Sequence, residues 1–339
     1  MAIATLAGVA MVRAQDDRND SIKVETNLVS VPVIVSDRDG RYIPNLTAKD
    51  FAVFQDGKPQ SLEFFAATEE PINVALLIDT SQSTRSVLGD IKNSAKSFLK
   101  LLTPRDKAMV VSFDYDTHIL SPLTADQERL KDAIKDAKIP DRMFGTVMRD
   151  AVIQTINGAF RGLTGRKAII LLTDGKDAGS AISGRDLIYK LEETDTLIYT
   201  VMFKTGDQRS RVTAPPVFDP FPGRGRGRGG IGGRFPPPQR SGRQNPQRQA
   251  RVEQQNENAA EYLQRLSDVT AGRAYTSKDG KLKDTFALIV EELRFQYRLG
   301  FYPPEGMNDH VQHEIKVRVE RANVAVRARG SYRIAEKTQ

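Results

Sequence analysis

Five oxygen-bearing side chains stand at places in this sequence where they would bind a hard metal ion. Asp79, Ser81 and Ser83 lie at and just after the end of an apolar run, Thr146 follows a glycine, and Asp174 closes another apolar run. Carboxylate and hydroxyl oxygens, with neither histidine nor cysteine beside them, suit Mg²⁺ or Mn²⁺ better than zinc. The chemistry that these residues predict is therefore cation binding.

The elements that must position these residues alternate in type along the chain. Short apolar runs predict strands at 72–79, 106–114, 166–174, 195–203 and 272–277. Amphipathic stretches predict helices at 87–102, 125–137, 146–160, 183–194, 258–270 and 281–296. Apolar strands separated by helices favour a mostly parallel sheet covered on both faces, which is a doubly wound α/β domain. Ligands of such sheets bind at the carboxyl ends of the strands, where we expect the five residues to meet.

The order and spacing of these motifs also resemble a known family. The DxSxS pattern at Asp79, Ser81 and Ser83, the glycine-threonine pair at Thr146 and the TDG around Asp174 resemble the metal-ion-dependent adhesion site (MIDAS) of von Willebrand factor A domains. The resemblance implies a Rossmann-like fold in which the three hydroxyls bind Mg²⁺ or Mn²⁺ directly and the two carboxylates act through water. It also implies a protein-binding or cell-adhesion module, not an enzyme, whose partner offers an Asp or Glu carboxylate to the metal.

The flanks of this domain are predicted to form a second structural unit. Segments such as "DFAVFQDGKPQ" and "YRLGFYPP" resemble those that bracket the domain in related bacterial proteins first noted in acidobacteria. Residues 22–70 and 297–334 alternate apolar and polar side chains, and neither segment has enough strands to stand alone. We expect them to pair in a small β-sandwich of about six strands, with residues 71–296 inserted between them as the α/β domain. Because helix 281–296 runs directly into the sandwich, we expect a shift of this last helix to move the sandwich as well. In the related integrin domains such a shift accompanies a change of ligand affinity at the metal, and the resemblance implies a similar coupling here.

The formal net charge of +7 comes from one segment, 206–255, which holds ten arginines and three acidic residues. This segment is also rich in glycine and proline and has almost no apolar periodicity, so we expect a disordered insertion. Its arginine-glycine repeats, with Arg224, Arg226, Arg228 and Arg234, give an alternative function, the binding of nucleic acid or another polyanion. A solvated loop without a partner is the simpler interpretation, and we expect no nucleic-acid partner.

The N-terminus resembles the end of a signal peptide. Residues 2–12 are apolar, and the Val-Arg-Ala that ends at residue 14 is a pattern at which a signal peptidase cuts. The basic region that normally precedes it is absent, so we expect residues 1–14 to be a signal-peptide remnant and the mature protein to be periplasmic or secreted by a bacterium. Elsewhere no apolar run reaches the roughly 18 residues of a membrane-spanning helix.

Helix capping and catalysis fit the same residues less well than cation binding does. The Asp, Ser and Thr side chains of "DTSQST" could cap a helix, and Asp79 could be a phosphoryl-transfer nucleophile. However, the haloacid dehalogenase-like pattern needs an acid where this chain has Ser81, and no GxxxxGK[ST] motif occurs. The chain has no cysteine, and its three histidines, His118, His310 and His313, offer little for acid-base chemistry. We expect His310 and His313 in a solvated loop that leads into a strand. The sequence therefore favours binding over catalysis.

Overall fold

The structure, a computed structural model, describes residues 28–67, 70–141, 145–205, 246–277, 282–304 and 311–334. These residues form an α/β domain and a β-sandwich to which chain segments on both sides of the domain contribute. The predicted signal-peptide remnant and residues 206–245 of the predicted insertion lie outside the described residues.

Fourteen strands and six α-helices make up the described part of the chain. The strands are β1 (Val29–Asp37), β2 (Phe51–Gln55), β3 (Lys58–Gln60), β4 (Phe64–Ala66), β5 (Ile72–Asp79), β6 (Lys107–Phe113), β7 (Thr117–Thr124), β8 (Arg166–Thr173), β9 (Leu197–Met202), β10 (Ala274–Thr276), β11 (Tyr297–Phe301), β12 (His313–Val319), β13 (Val324–Ala328) and β14 (Ser331–Tyr332). The helices are α1 (Leu88–Leu99), α2 (Gln127–Asp136), α3 (Met148–Asn157), α4 (Gly184–Glu192), α5 (Pro246–Val269) and α6 (Leu282–Arg294).

The α/β domain is built on a six-stranded sheet with the order β10-β9-β8-β5-β6-β7. All neighbouring strands run parallel except β7, which is antiparallel to β6. β5 lies in the interior of the sheet between β6 and β8, and every one of its residues is buried. A strand buried on both faces reads as a continuous apolar run, which is why the sequence predicted β5 with its correct bounds.

Helices cover both faces of this sheet, so the fold is doubly wound, as predicted. The side chains of Val74, Leu76 and Ile78 point to one face, where they share a core with α1, α2 and α6. Ala75 and Leu77 point to the other face and pack with α3, α4 and α5. The alternation of side chains along β5 thus gives the domain two apolar layers.

The β-sandwich consists of two four-stranded antiparallel sheets, with the orders β13-β1-β11-β4 and β14-β12-β2-β3. Buried side chains from both sheets, including Val33, Val53, Tyr297 and Ile315, share one core. The expected pairing of the N-terminal and C-terminal segments is confirmed, because β1 pairs with β11 and β13, and β2 pairs with β12. There are eight strands and not about six, since β4 follows the first hairpin and the run 324–334 divides into β13 and β14.

The two connections between the sandwich and the α/β domain lie side by side. The chain leaves the sandwich after β4 and returns to it through β11, and these two strands are paired, with Ala66 opposite Arg298. The α/β domain is therefore inserted between two neighbouring strands of one sheet.

Two elements differ from the sequence prediction. β7 was not expected, because it is an edge strand with mixed exposure and Pro122 interrupts its alternation. α5 begins at Pro246, so residues 246–255 of the segment predicted to be disordered are helical. Proline is favoured at the first helical position, and the Gln, Arg, Ala and Glu residues that follow are good helix formers.

The prediction of a solvated loop around His313 is also wrong. His313 begins β12, is 5% exposed, and its Nδ1 lies 2.8 Å from Oδ2 of Asp56. His310 lies outside the described residues. Within the described ranges, no helix has both the length and the apolar character needed to cross a membrane.

Candidate metal centre

We call the C-terminal ends of β5, β6 and β8 the carboxyl edge. Four of the five predicted residues end β5 or follow β5 and β8 directly, and Thr146 lies just before α3. Asp79 is the last residue of β5 and is fully buried. Its Oδ1 accepts a 2.9 Å hydrogen bond from the backbone N–H of Ser81, and its Oδ2 accepts a 2.6 Å hydrogen bond from the hydroxyl of Thr173, at the end of β8. The carboxylate is therefore held by its own loop and by the neighbouring strand.

The loop after Asp79 places two hydroxyls next to each other. The Oγ atoms of Ser81 and Ser83 are 3.1 Å apart. Thr84, which is buried, holds the loop, since its hydroxyl lies 3.0 Å from the carbonyl oxygen of Asp79 and 2.9 Å from that of Ser81. The loop is thus shaped by the same residues that form the motif.

Helix capping does not account for these side chains. Ser81 precedes a 3₁₀ turn at Gln82–Thr84 but makes no side-chain capping bond to it. The helix α1 begins later, after Val87, which also makes no such bond. The alternative in which the motif only caps a helix is therefore not supported.

Thr146 reaches the same edge through two backbone hydrogen bonds. The N–H of Val147 donates to the carbonyl of Asp114, just after β6, over 2.8 Å, and the N–H of Ala178, after β8, donates to the carbonyl of Thr146 over 3.1 Å. Because β5 lies between β6 and β8, these bonds place Thr146 at the carboxyl edge. Gly145 is needed before it, since its φ is +154° and a Cβ there would lie 3.2 Å from the Cβ of Tyr115.

Asp174 follows β8 and is also fully buried. Its Oδ2 accepts hydrogen bonds from the Lys176 ammonium at 2.6 Å and the Thr205 hydroxyl at 2.8 Å, and its Oδ1 accepts one from the Lys176 N–H at 3.2 Å. Gly175 has a φ of +80°, and a Cβ there would lie 2.8 Å from the Cβ of Ala259 on α5. The glycine of the TDG motif therefore permits both the turn and the close approach of α5.

Two buried carboxylates at one edge give it an unfavourable concentration of negative charge. Burial raises the pKa of Asp79 well above its usual range, and repulsion from the Asp174 carboxylate raises it further, against hydrogen bonds from Ser81 and Thr173. Charge of this kind is relieved by a cation placed between the two groups. The electrostatics of the carboxyl edge thus favour a bound positive ion.

The donor set fits a hard divalent cation. All five predicted side chains offer oxygen, and the 3.1 Å between the hydroxyls of Ser81 and Ser83 is close to the separation of about 2.9 Å between adjacent ligands of an octahedral Mg²⁺. Among the described residues, no group of three or more His, Cys, Asp or Glu side chains could hold a metal ion. A cation at the carboxyl edge would therefore need hydroxyl oxygens among its ligands.

Three residues at this edge were not predicted from the sequence. Lys176 and Thr205 both contact Asp174, and Thr80 donates a 3.0 Å hydrogen bond to Oδ2 of Asp114. Lys176 stands two residues after Asp174, a spacing that could have indicated the contact. Thr205 could not have been found in this way, because its proximity follows from the pairing of β8 with β9.

The residues of the alternative polyanion site, Arg224, Arg226, Arg228 and Arg234, lie outside the described residues. His118 is near the carboxyl edge, where its Nε2 is 3.3 Å from Oδ1 of Asp114.

The domain is a doubly wound sheet with hydroxyls and carboxylates at its carboxyl edge. Comparison with a known family identifies the class of this domain. Residues 74–176 match the sequence model of the von Willebrand factor type A domain, and this span contains all five predicted residues. The chain therefore carries a von Willebrand factor A domain, as its motifs predicted. No curated protein matched the chain.

Several solved structures are similar to this chain at low sequence identity. A von Willebrand factor type A protein from Catenulispora acidiphila is 12% identical over 85% of this chain and 74% of that chain, with a TM-score of 0.46. The conserved hypothetical protein BatB from Bacteroides thetaiotaomicron is 17% identical over 66% of this chain and 98% of that chain, with a TM-score of 0.43.

A third similar structure comes from a mussel. Proximal thread matrix protein 1 of the byssus, with a zinc-occupied MIDAS motif, is 16% identical over 70% of this chain and 49% of that chain, with a TM-score of 0.46. The closer resemblance of this chain to bacterial proteins first noted in acidobacteria stays a prediction.

Proposed function

We propose that this protein is a metal-ion-dependent binding module that recognises an Asp or Glu carboxylate on a partner protein. The observation that carries the proposal is the convergence of two buried carboxylates and two adjoining serine hydroxyls at the carboxyl edge. In the proposed site Ser81, Ser83 and Thr146 bind Mg²⁺, or Mn²⁺, through their hydroxyls, while Asp79 and Asp174 act through water.

The residues of the chain have distinct tasks in this proposal. When bound, the cation supplies an open position for an oxygen atom of the partner. Thr173 and the Ser81 N–H orient Asp79, and Thr84 fixes the loop that carries the two serines. Hydroxyl ligands add no negative charge, so the site keeps an attraction for an acidic side chain.

We propose binding and not catalysis, because the position two residues after Asp79 holds Ser81, where phosphoryl-transfer sites of this strand-end type need an acid. We also propose that the protein acts in adhesion outside the cytoplasm. This part of the proposal rests on the expected signal-peptide remnant at residues 1–14 and on the class of the domain.

Calorimetric titration of Mg²⁺ and Mn²⁺ into the EDTA-stripped protein tests the metal site. We expect saturable binding to one site in the wild type, weakened by about tenfold or more in Ser83→Ala and abolished in Asp79→Ala. Ser86→Ala is the matched control, since Ser86 is exposed in the same loop. Equal, non-saturating heats from all four proteins would contradict the proposal.

A peptide array tests the partner class. Peptides with a single Glu should retain the protein in Mg²⁺ but not in EDTA, and the same peptides with Gln should retain it in neither. Binding to oligothymidylate that survives EDTA and weakens steeply with salt would instead favour the polyanion alternative. That result would move attention to the arginine-rich segment.

A further inference from the structure

Lys176 places a positive charge of the protein's own at the proposed metal centre. Its Nζ lies 2.6 Å from Oδ2 of Asp174 and 2.7 Å from the hydroxyl oxygen of Thr205. The carboxylate of Asp174 is fully buried, whereas the side chain of Lys176 is 38% exposed. The aspartate is therefore fixed in place, while the lysine can swing its ammonium out into solvent.

The hydrogen bonds of Asp174 leave it little free capacity. A carboxylate can accept about four hydrogen bonds, and Asp174 already accepts from the Lys176 ammonium, the Lys176 N–H and the Thr205 hydroxyl. A cation or its water ligands would have to use the remaining lone pair or replace the ammonium. The lysine and a divalent cation thus compete for the same carboxylate.

Asp79 brings a second negative charge to the edge that carries Asp174. Asp79 is also fully buried, and the charges of Asp79 and Asp174 repel each other. Among the described residues, Lys176 forms an ion pair with Asp174, one member of this carboxylate pair. It therefore stabilises the domain in the absence of metal by the same contact that opposes metal binding.

We propose that Lys176 is an internal counter-ion that stabilises the metal-free carboxyl edge and competes with the divalent cation for Asp174. The inference rests on the proposed function, because it assigns Lys176 the role of setting the metal affinity of that same site. A weakened site of this kind would bind and release its metal, and with it the acidic partner, as the concentration of the ion changes.

The test compares Lys176→Met with Lys176→Arg, which retains the charge, and with Lys204→Met, which removes an exposed lysine near the same edge. Two quantities are measured: the thermal midpoint in EDTA and the dissociation constant for Mg²⁺ by calorimetry. We expect Lys176→Met to lower the midpoint in EDTA and to bind Mg²⁺ on the order of tenfold more tightly. Lys176→Arg and Lys204→Met should stay near the wild type in both.

The outcomes separate this inference from the proposed function. If the wild type binds Mg²⁺ and Asp79→Ala does not, but Lys176→Met has the wild-type affinity and midpoint, the role of Lys176 is refuted and the metal site stands. If neither the wild type nor Lys176→Met binds Mg²⁺ saturably, both proposals fail. Tighter binding by Lys204→Met as well would show a general charge effect and would also overturn the assignment to Lys176.

Discussion

The hydroxyl of Tyr199, on β9, donates a 2.6 Å hydrogen bond to Oε1 of Glu292, on α6. Glu292 is fully buried, and its Oε2 accepts from Arg273 at 2.9 Å and from Tyr42 of the sandwich at 3.2 Å. Arg327, on β13, forms an ion pair with the same carboxylate. One buried charge thus joins the parallel sheet, the last helix and the sandwich.

Glu292→Gln should destabilise the protein strongly, because the two arginines that face Glu292 would lose their counter-charge. Removing one partner of a buried ion pair costs about 3 kcal/mol, and we expect a loss of that size in the free energy of unfolding. Glu291→Gln changes the neighbouring residue, which is exposed, and should alter stability by less than about 0.5 kcal/mol. Urea denaturation of both variants checks the prediction, and equal midpoints would contradict it.

Arg166→Met should loosen the end of the last helix. The guanidinium of Arg166, which is 2% exposed, donates to the carbonyls of Leu293 and Arg294 at the end of α6 and to that of Ala67 before β5. Hydrogen bonds from a charged donor contribute about 1.5–3 kcal/mol each, so we expect a loss of at least about 2 kcal/mol.

Hydrogen exchange locates this effect. The amides of residues 293–297 should exchange faster in Arg166→Met than in the wild type, because α6 loses the contacts to its final carbonyls. The exposed Arg161, changed to Met, is the control and should leave these rates unchanged. If Arg166→Met also alters the Mg²⁺ affinity, the end of α6 is coupled to the carboxyl edge.

Gly175→Ala should damage both stability and metal binding. A residue with φ +80° and with a Cβ 2.8 Å from that of Ala259 is strained by about 2 kcal/mol, and the strain falls on the turn that carries Asp174. Gly89→Ala should instead stabilise the protein by about 0.5 kcal/mol. Gly89 lies in α1, and a Cβ at this position would meet no atom within 4 Å. Thermal melts and Mg²⁺ titrations of the two variants test the prediction, and equal stability of the two variants would contradict it.

Part of the free energy of unfolding should depend on the ionisation of Asp106, and should therefore change with pH in the acid range. Burial alone would raise the pKa of Asp106, but hydrogen bonds from the N–H groups of Thr103 and Ile72 and from the Thr103 hydroxyl, together with Arg294, lower it below its ordinary value. Because the folded-state pKa is below the unfolded-state one, this carboxylate stabilises the fold above about pH 4, and the contribution disappears as the pH falls through the folded-state pKa.

Asp106→Asn therefore should be less stable than the wild type at pH 7, and the difference should shrink below about pH 4. Asp136→Asn, at an exposed position of α2, is the control. Free energies of unfolding measured from pH 7 to pH 3 check the prediction, and a difference that stays constant with pH would refute it.

The carboxyl edge was predictable because its signals are local. Asp79 and Asp174 each close a continuous apolar run, and parallel strands bring their C-terminal ends together whatever their order in the sheet. The position of Thr146 was predicted from the motif and not from geometry. Its place at the carboxyl edge depends on a hydrogen bond from Val147 to Asp114 and one from Ala178 to Thr146, and both join residues that are distant in sequence.

The remaining features depend on partners that periodicity does not show. β7 has a neighbour on one side only in the described sheet, so its side chains alternate weakly. His313 is buried because Asp56, far away in sequence, pairs with it. The charges of Glu292 and Arg166 are satisfied by residues from several elements, and no spacing along the chain indicates such contacts.

The place of β1 between β11 and β13 has a consequence for how the protein is made. Among the described strands, β1 pairs only with these two, and both follow the α/β domain in the sequence. At the roughly 20 residues per second of fast translation, β1 waits more than about ten seconds for its first partner. The α/β domain can fold in that interval, while both edges of β1 stay unpaired until β11 has been synthesised.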